Sequence, residues 1–295
     1  MAKQRVVFFL GAAVLWAYVD RSVWAQPPKK ERSETALNLD FETPADARGI
    51  PEAWGGGGEG YELTSDTEAA KTGKRSGRIR HTGSTKGSSR GFGSLTQCIE
   101  AEKYRSQRVR YRGYLRTEKA VTGRAAFWMR IEGADDGVIA FDNMRGQRVH
   151  GTTEWKQHEV VLDVPAEAVT MCFGMLLKGD GSAWVDDLKI EIVGKDVPIT
   201  GTPMRVAIKI DPKLLDDYVG KYRVAGTVFE FRREGDALFA HQAGAPKARI
   251  FPESETKFFY RVLDAQFSFV REENGKAKGI ILHQDGRQIS GSRIE

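Results

Sequence analysis

Few residues in this chain are spaced for chemistry. Gly87-Ser88-Ser89-Arg90-Gly91 spells G-x-S-x-G, which exposes a nucleophilic serine only between a strand and a helix. Here a polar loop precedes it and a strand follows, so the match carries no nucleophile. Ser254-Glu255-Thr256-Lys257 spells S-x-x-K. On a helix one turn brings that lysine amine to the serine hydroxyl, but these four residues lie in a loop entering a strand. No S-D-N or K-T-G accompanies them. The histidines are His81, His150, His158, His241 and His283. They form no i, i+4 helical pair and no H-E-x-x-H, so a zinc hydrolase is unsupported. His241-Gln242 and His283-Gln284 repeat one dipeptide at two strand ends. They read either as plain turn residues or as partners near a common rim.

Binding has a better footing than catalysis. In the strand 108–117, alternation puts Arg108, Arg110, Arg112, Tyr114 and Arg116 on one face, with Val109, Tyr111 and Leu115 opposite. In 125–132, Phe127, Met129 and Ile131 share one face and Trp128 and Arg130 the other. If the two strands are neighbours, Tyr114 and Trp128 share an outer surface with Arg112, Arg116 and Arg130. An aromatic face stacks on the C–H side of a sugar while arginine grips carboxylate or sulfate oxygens. The alternative is Trp128 in a core with the arginines as a solvated face.

The elements that must position these residues are strands. The chain has 295 residues, 40% hydrophobic and 29% charged, with 32 glycines. That is too apolar for general disorder and suits short strands joined by turns. Segments near 37–42, 59–64, 76–82, 91–98, 108–117, 124–132, 137–142, 155–163, 169–177 and 182–193 alternate apolar and polar residues, predicting a β-sandwich over 37–193. Gly55 to Gly58 and 83–91 read as mobile loops. Residues 194–210, with two prolines and two glycines, read as a linker, and 213–218 as a short helical turn. From 220 on, eight strands follow at regular spacing (220–224, 227–233, 236–241, 246–251, 257–262, 266–272, 277–283, 287–294). Sequential linkage predicts a small up-and-down barrel over 211–295, filled by its own side chains or holding one small ligand.

Residues 1–25 begin with Lys3 and Arg5, continue as an apolar run 6–19 and end at Val23-Trp24-Ala25, the layout of a secretory signal peptide. An uncleaved anchor is the alternative. Residues 26–36 read as a disordered leader. Cleavage leaves 42 basic and 39 acidic residues, a net of +3. With export to a secreted or periplasmic location, that mild charge argues against a nucleic-acid partner. No interior segment is long and apolar enough to span a membrane. Two cysteines exclude a disulfide scaffold. Export permits Cys98 and Cys172 to pair; two buried free thiols are the alternative.

Four pieces of the first half, in order, resemble the jelly-roll, galactose-binding-like carbohydrate-binding modules: Leu39-Asp40-Phe41-Glu42, Trp54 after a proline, Thr72-Gly73-Lys74-Arg75-Ser76, and Trp184-Val185-Asp186-Asp187-Leu188. The second half is similar to the lipocalin-like C-terminal domain of penicillin-binding-protein-like serine peptidases and β-lactamase relatives. The carriers are Tyr218-Val219-Gly220-Lys221-Tyr222, the run 251–259 (FPESETKFF) and Leu282-His283-Gln284-Asp285-Gly286-Arg287. The fold implied is all-β, a jelly roll followed by an eight-stranded lipocalin-like barrel. The function implied is non-catalytic: glycan binding by the first domain, or an accessory role in which the barrel binds a partner hydrolase or a small apolar ligand.

The first resemblance also implies a structural calcium, held by Glu42 with Asp186 or Asp187 and by carbonyls near Lys71 and Gly73. Alternation over 184–192 places Asp186 with Trp184, Leu188 and Ile190, and a buried carboxylate needs a cation or several donors. The alternative to calcium is an arginine or backbone N–H groups.

Overall fold

The computed structural model describes residues 37–294 apart from 84–90, 135–136, 145, 202–204, 206, 243–244, 246, 262–263, 274 and 285. The signal-like run 1–25, the leader 26–36 and residues 84–90, which hold all of the G-x-S-x-G motif but Gly91, therefore lie outside the described residues. Contacts divide the chain between Gly201 and Thr202. The sequence linker 194–210 is accordingly shared. Thr200 donates its backbone N–H to Val161 in the first unit, and Ile208 donates to Pro252 in the second.

The first unit holds β1 (Gly55–Gly57), β2 (Tyr61–Asp66), β3 (Ser76–His81), β4 (Phe92–Glu100), β5 (Arg108–Glu132), β6 (Val138–Asp142), β7 (Val149–Asp163), β8 (Thr170–Lys178) and β9 (Ser182–Val193). β5 dominates the topology. Its first half pairs with β7 and β9, its second half with β8 and β6. One layer therefore runs β1-β4-β8-β5-β6 and the other β7-β5-β9-β3-β2, with β5 crossing between them. At the crossing Lys119 takes a positive φ of 54°, and Asp180 Oδ1 accepts the N–H groups of Thr122 (2.9 Å) and Gly123 (2.6 Å). Tyr111 from one layer meets Phe127 and Phe173 from the other at 5.0 and 5.2 Å. All three are fully buried.

Two expectations need correction here. Residues 37–42 form turns rather than a strand, with Asn38 and Phe41 at positive φ. The glycine run 55–57 is a strand rather than a mobile loop. A Cβ at Gly56 would stand 1.9 Å from the Ser94 carbonyl oxygen, so only glycine lets this edge approach β4.

The second unit is a closed barrel of β10 (Gly220–Val224), β11 (Thr227–Glu234), β12 (Ala237–Gln242), β13 (Ala248–Pro252), β14 (Lys257–Phe259), β15 (Ala265–Arg271), β16 (Ala277–Gln284) and β17 (Arg287–Arg293), each bonded to the next. A 3₁₀ turn, Pro212–Asp217, precedes it; Asp211 caps it by accepting the Lys213 N–H at 2.9 Å. Tyr218, Tyr222, Phe229, Phe231, Phe258, Phe267 and Phe269 fill the interior. Tyr218 stacks on Phe269 at 4.4 Å.

Candidate functional site

The expected binding platform does not assemble. Tyr114 and Trp128 lie on the two halves of β5, which belong to different layers. Each sits on the outward face of its own layer, so they face away from each other. Trp128 is also fully buried, as the core alternative required, and offers no open stacking face.

Tyr114, Arg112 and Arg116 are on the outward face of the β7-β5-β9-β3-β2 layer, where carboxylates and rings from adjacent strands occupy the arginines. Arg112 Nε reaches Glu191 Oε2 at 2.6 Å and its Nη2 reaches Oε1 at 3.1 Å, while Arg110 Nε bonds Glu191 at 3.1 Å. These bonds, Arg112's first, hold the Glu191 carboxyl down at about 2. Arg108 grips Asp163 with two bonds, 2.9 and 3.0 Å, and this pairing lowers the Asp163 pKa. The Arg116 guanidinium lies over the Trp184 ring at 5.0 Å, and Lys71 Nζ over Tyr114 at 4.8 Å. Trp184 Nε1 donates to Asp66 at 3.1 Å, which also takes Arg78 at 2.6 Å. The face is a self-neutralised network.

The aspartate environment is equally specific. Asp187 has φ 48°, and the β5–β9 register shifts beside it, between Arg112 and Tyr114. This bulge breaks the alternation, so Asp186 shares the outward face with Trp184 and not with Leu188. Asp186 is nevertheless wholly buried. Its Oδ2 accepts Lys71 N–H (2.7 Å) and Thr72 N–H (2.9 Å), and its Oδ1 accepts Asp187 N–H (2.7 Å). Burial outweighs these donors and raises its pKa. Glu42 Oε1 takes the N–H groups of Lys74 (2.8 Å) and Arg75 (2.9 Å). Gly73, at φ 60°, packs on that carboxylate, where a Cβ would stand 2.3 Å from Oε1.

This donor set does not fit calcium, which requires six to eight oxygens. The loop turns N–H groups toward both carboxylates where a cation needs carbonyls. Asp187 Oδ1 lies 3.6 Å from Lys189 Nζ. Among the described residues no cluster of three or more His, Cys, Asp or Glu side chains is placed to hold a metal. Glu42 and Asp186 instead fasten one loop onto the sheet.

The outward face of the other layer joins Trp128 and Arg130, which the sequence put forward, to Ser94, Thr96 and Glu132, which it did not. Register sets Thr96 opposite Gly174, and Gly174 opposite Trp128, so the indole lies across a glycine from the threonine. Ser94 Oγ and Thr96 Oγ1 are 2.8 Å apart. Arg130 and Glu132 form a 2.7 Å ion pair. Ser94, Thr96 and Glu132 are buried. Cys98 and Cys172, direct cross-strand partners beside Arg130, form a disulfide, which settles the choice left open by the sequence. The signal was present in the alternation of β4, but only register joins it to Trp128.

The barrel's serine motif is a turn. Ser254 Oγ accepts the Lys257 N–H at 3.0 Å, and Lys257 Nζ goes to Glu253 at 3.2 Å. The one serine–histidine contact among the described residues is Ser268 with His283 Nε2, 2.8 Å, on the outer wall. Burial, then Lys257 and Arg205, lower the His283 pKa. His241 stands 3.8 Å from Glu230 instead.

Residues 204–293 match a family described as "Domain of unknown function (DUF3471)". Penicillin-binding protein 4* of Bacillus subtilis is 36% identical over 87 residues, covering 29% of this chain and 19% of the relative. The similarity lies in the C-terminal region, as the sequence resemblance implied. An uncharacterized HTH-type transcriptional regulator, YbfP of Bacillus subtilis, is 36% identical over 145 residues, 49% of this chain and 48% of the relative. The chain thus spans about half the length of one curated relative and a fifth of the other. Solved structures similar to it include the CBM22-1 xylan-binding domain of Paenibacillus barcinonensis Xyn10C (12% identity, 52% of this chain and 92% of that one, TM-score 0.39). A family 22 carbohydrate-binding module of Clostridium thermocellum Xyn10B is another (11%, 52% and 99%, TM-score 0.35). The fold is all-β, a nine-stranded sheet in two layers and a closed eight-stranded barrel. Among the described residues no helix is long and apolar enough to cross a membrane.

Proposed function

We propose that the chain is an exported, non-catalytic binding protein whose first domain recognises a glycan through the outward face of the β1-β4-β8-β5-β6 layer. The observation that carries this is the grouping of Trp128, the Arg130–Glu132 pair and the Ser94–Thr96 hydroxyls on one sheet face. The ion pair supplies a matched donor and acceptor for vicinal hydroxyls, and the serine and threonine hydroxyls further bonds. Trp128 is buried and supports this face by packing, not as a stacking surface. The disulfide supports the export reading, since such bonds persist in oxidising compartments.

Affinity electrophoresis and calorimetry of the full chain against xylan, galactan, cellulose and acidic glycans test this. Saturable binding to one of them, weakened at least tenfold by Glu132→Gln and Thr96→Val in variants that circular dichroism shows folded at the assay temperature, supports the reading. Absence of binding to every glycan, or variants that bind like the parent, would overturn it.

A further inference from the structure

The repeated His-Gln dipeptide is explained by the barrel and by nothing in the glycan reading. β12 and β16 are the third and seventh of eight strands in a closed order, and so stand opposite each other. Each ends in His-Gln. Alternation sends the histidines outward and the glutamines inward. Register agrees, because Gln242 pairs with Phe229 and Gln284 with Ala265, both members of the barrel core. Gln284 is 7% exposed.

The side-chain oxygens of Gln242 and Gln284 are both shut off from solvent and have no hydrogen-bond partner among the described residues. A buried acceptor left unpaired costs stability, and two facing one lumen point to a missing donor. Tyr218, Tyr222, Phe258 and Phe269 pack ring against ring inside the barrel. At the glutamine end the wall carries Ala240, Ala248 and Ala265 beside Phe229 and Phe267. The residue paired with Gln284 at the rim is Arg287, an exposed cation, which disfavours a positively charged guest.

We propose that this end of the barrel binds a small neutral molecule with a carboxamide or urea head on an apolar body. Its two N–H groups would donate to Gln242 Oε1 and Gln284 Oε1, and its body would lie against Phe229, Phe267 and the alanines.

The test uses the full chain with benzamide and phenylurea as probes and benzoate as the charged control, read by saturation-transfer NMR and by shifts of the glutamine side-chain amide signals. Gln242→Leu and Gln284→Leu assign those signals. The expected result is saturable binding of the neutral probes with both signals moved, no effect of benzoate, and at least tenfold weaker binding in each variant. Each variant should also melt at or above the parent temperature, because it removes an orphaned acceptor. Three results would overturn the proposal: neutral probes that move neither signal (water alone satisfying the oxygens), equal binding of benzoate, or binding retained by both variants. The melting readout separates a lost site from a lost fold.

Discussion

Glu191→Gln isolates the strongest electrostatic element of the outward arginine face. The carboxylate receives Arg112 and Arg110 together, and its pKa falls from 4.5 to about 2. At 1.36 kcal/mol per pKa unit that displacement converts to ~3 kcal/mol. A third of the Glu191 side chain is exposed, and exposed ion pairs measure 0–1 kcal/mol. We therefore expect roughly 1 kcal/mol after screening. The sign follows from the depressed pKa. The stabilisation is present above the unfolded value near 4.5 and is lost as pH falls through about 2. Urea titrations of parent and variant, followed by tryptophan fluorescence at pH 7, 5, 4 and 3, should show a gap of about 1 kcal/mol at pH 7 that narrows below pH 5. High salt should shrink the gap as well. Other lowered carboxyls such as Asp163 act equally on both proteins and cancel in the difference. A gap that is zero at pH 7, or constant down to pH 3, would refute the pairing and return Arg110 and Arg112 to the pool of free, ligand-ready cations.

Asp186→Asn should destabilise the first unit by ~1–3 kcal/mol, because one of three N–H groups then faces an amide NH₂. It should also remove a stability term that the parent holds below the unfolded pKa near 3.8 and loses as pH rises through the raised folded value; thermal melts across pH 3 to 7 read both effects. Calcium added to the parent should leave that melt unmoved, whereas a rise with calcium would restore the metal reading. Gly73→Ala, with φ 60° and its Cβ set against Glu42, should lower the melting temperature by several degrees, equivalent to about 1–3 kcal/mol. Reduction of Cys98–Cys172, which closes a separation of 74 residues, should cost the first unit about 4 kcal/mol on the chain-entropy account, seen as an earlier urea midpoint in dithiothreitol.

Strand positions were legible because alternation is local. The barrel strands appear within a few residues of their expected places, for example 220–224 and 287–294 against Gly220–Val224 and Arg287–Arg293. The site was not legible, because it depends on which strands become neighbours. The stretches 108–117 and 124–132 read correctly as two alternating runs, and Trp128 was assigned the right side of its strand. What the pattern lacks is that both runs belong to β5 and part company at Lys119. Layer membership is set by partners far along the chain, on β7, β8 and β9. Alternation likewise names a face without saying what lies over it, so it placed Trp128 outward and could not show that it is buried.

The same limit explains why the arginines misled and why the two His-Gln ends stayed open between turn residues and rim partners. A row of arginines on one strand reads as a cationic surface only until the register with β9 supplies Glu191 and the register with β7 supplies Asp163. Charge on a sheet is therefore a property of strand pairs. A glutamine at a strand end, by contrast, reads as ordinary turn chemistry. Only closure of the barrel turns Gln242 and Gln284 inward across a shared lumen and makes their unpaired oxygens conspicuous. In both cases, then, the residues to follow are those whose hydrogen-bond balance changes when neighbouring strands are added. The outward arginines become satisfied and lose their claim on a ligand. The inward glutamines are left unsatisfied and gain one.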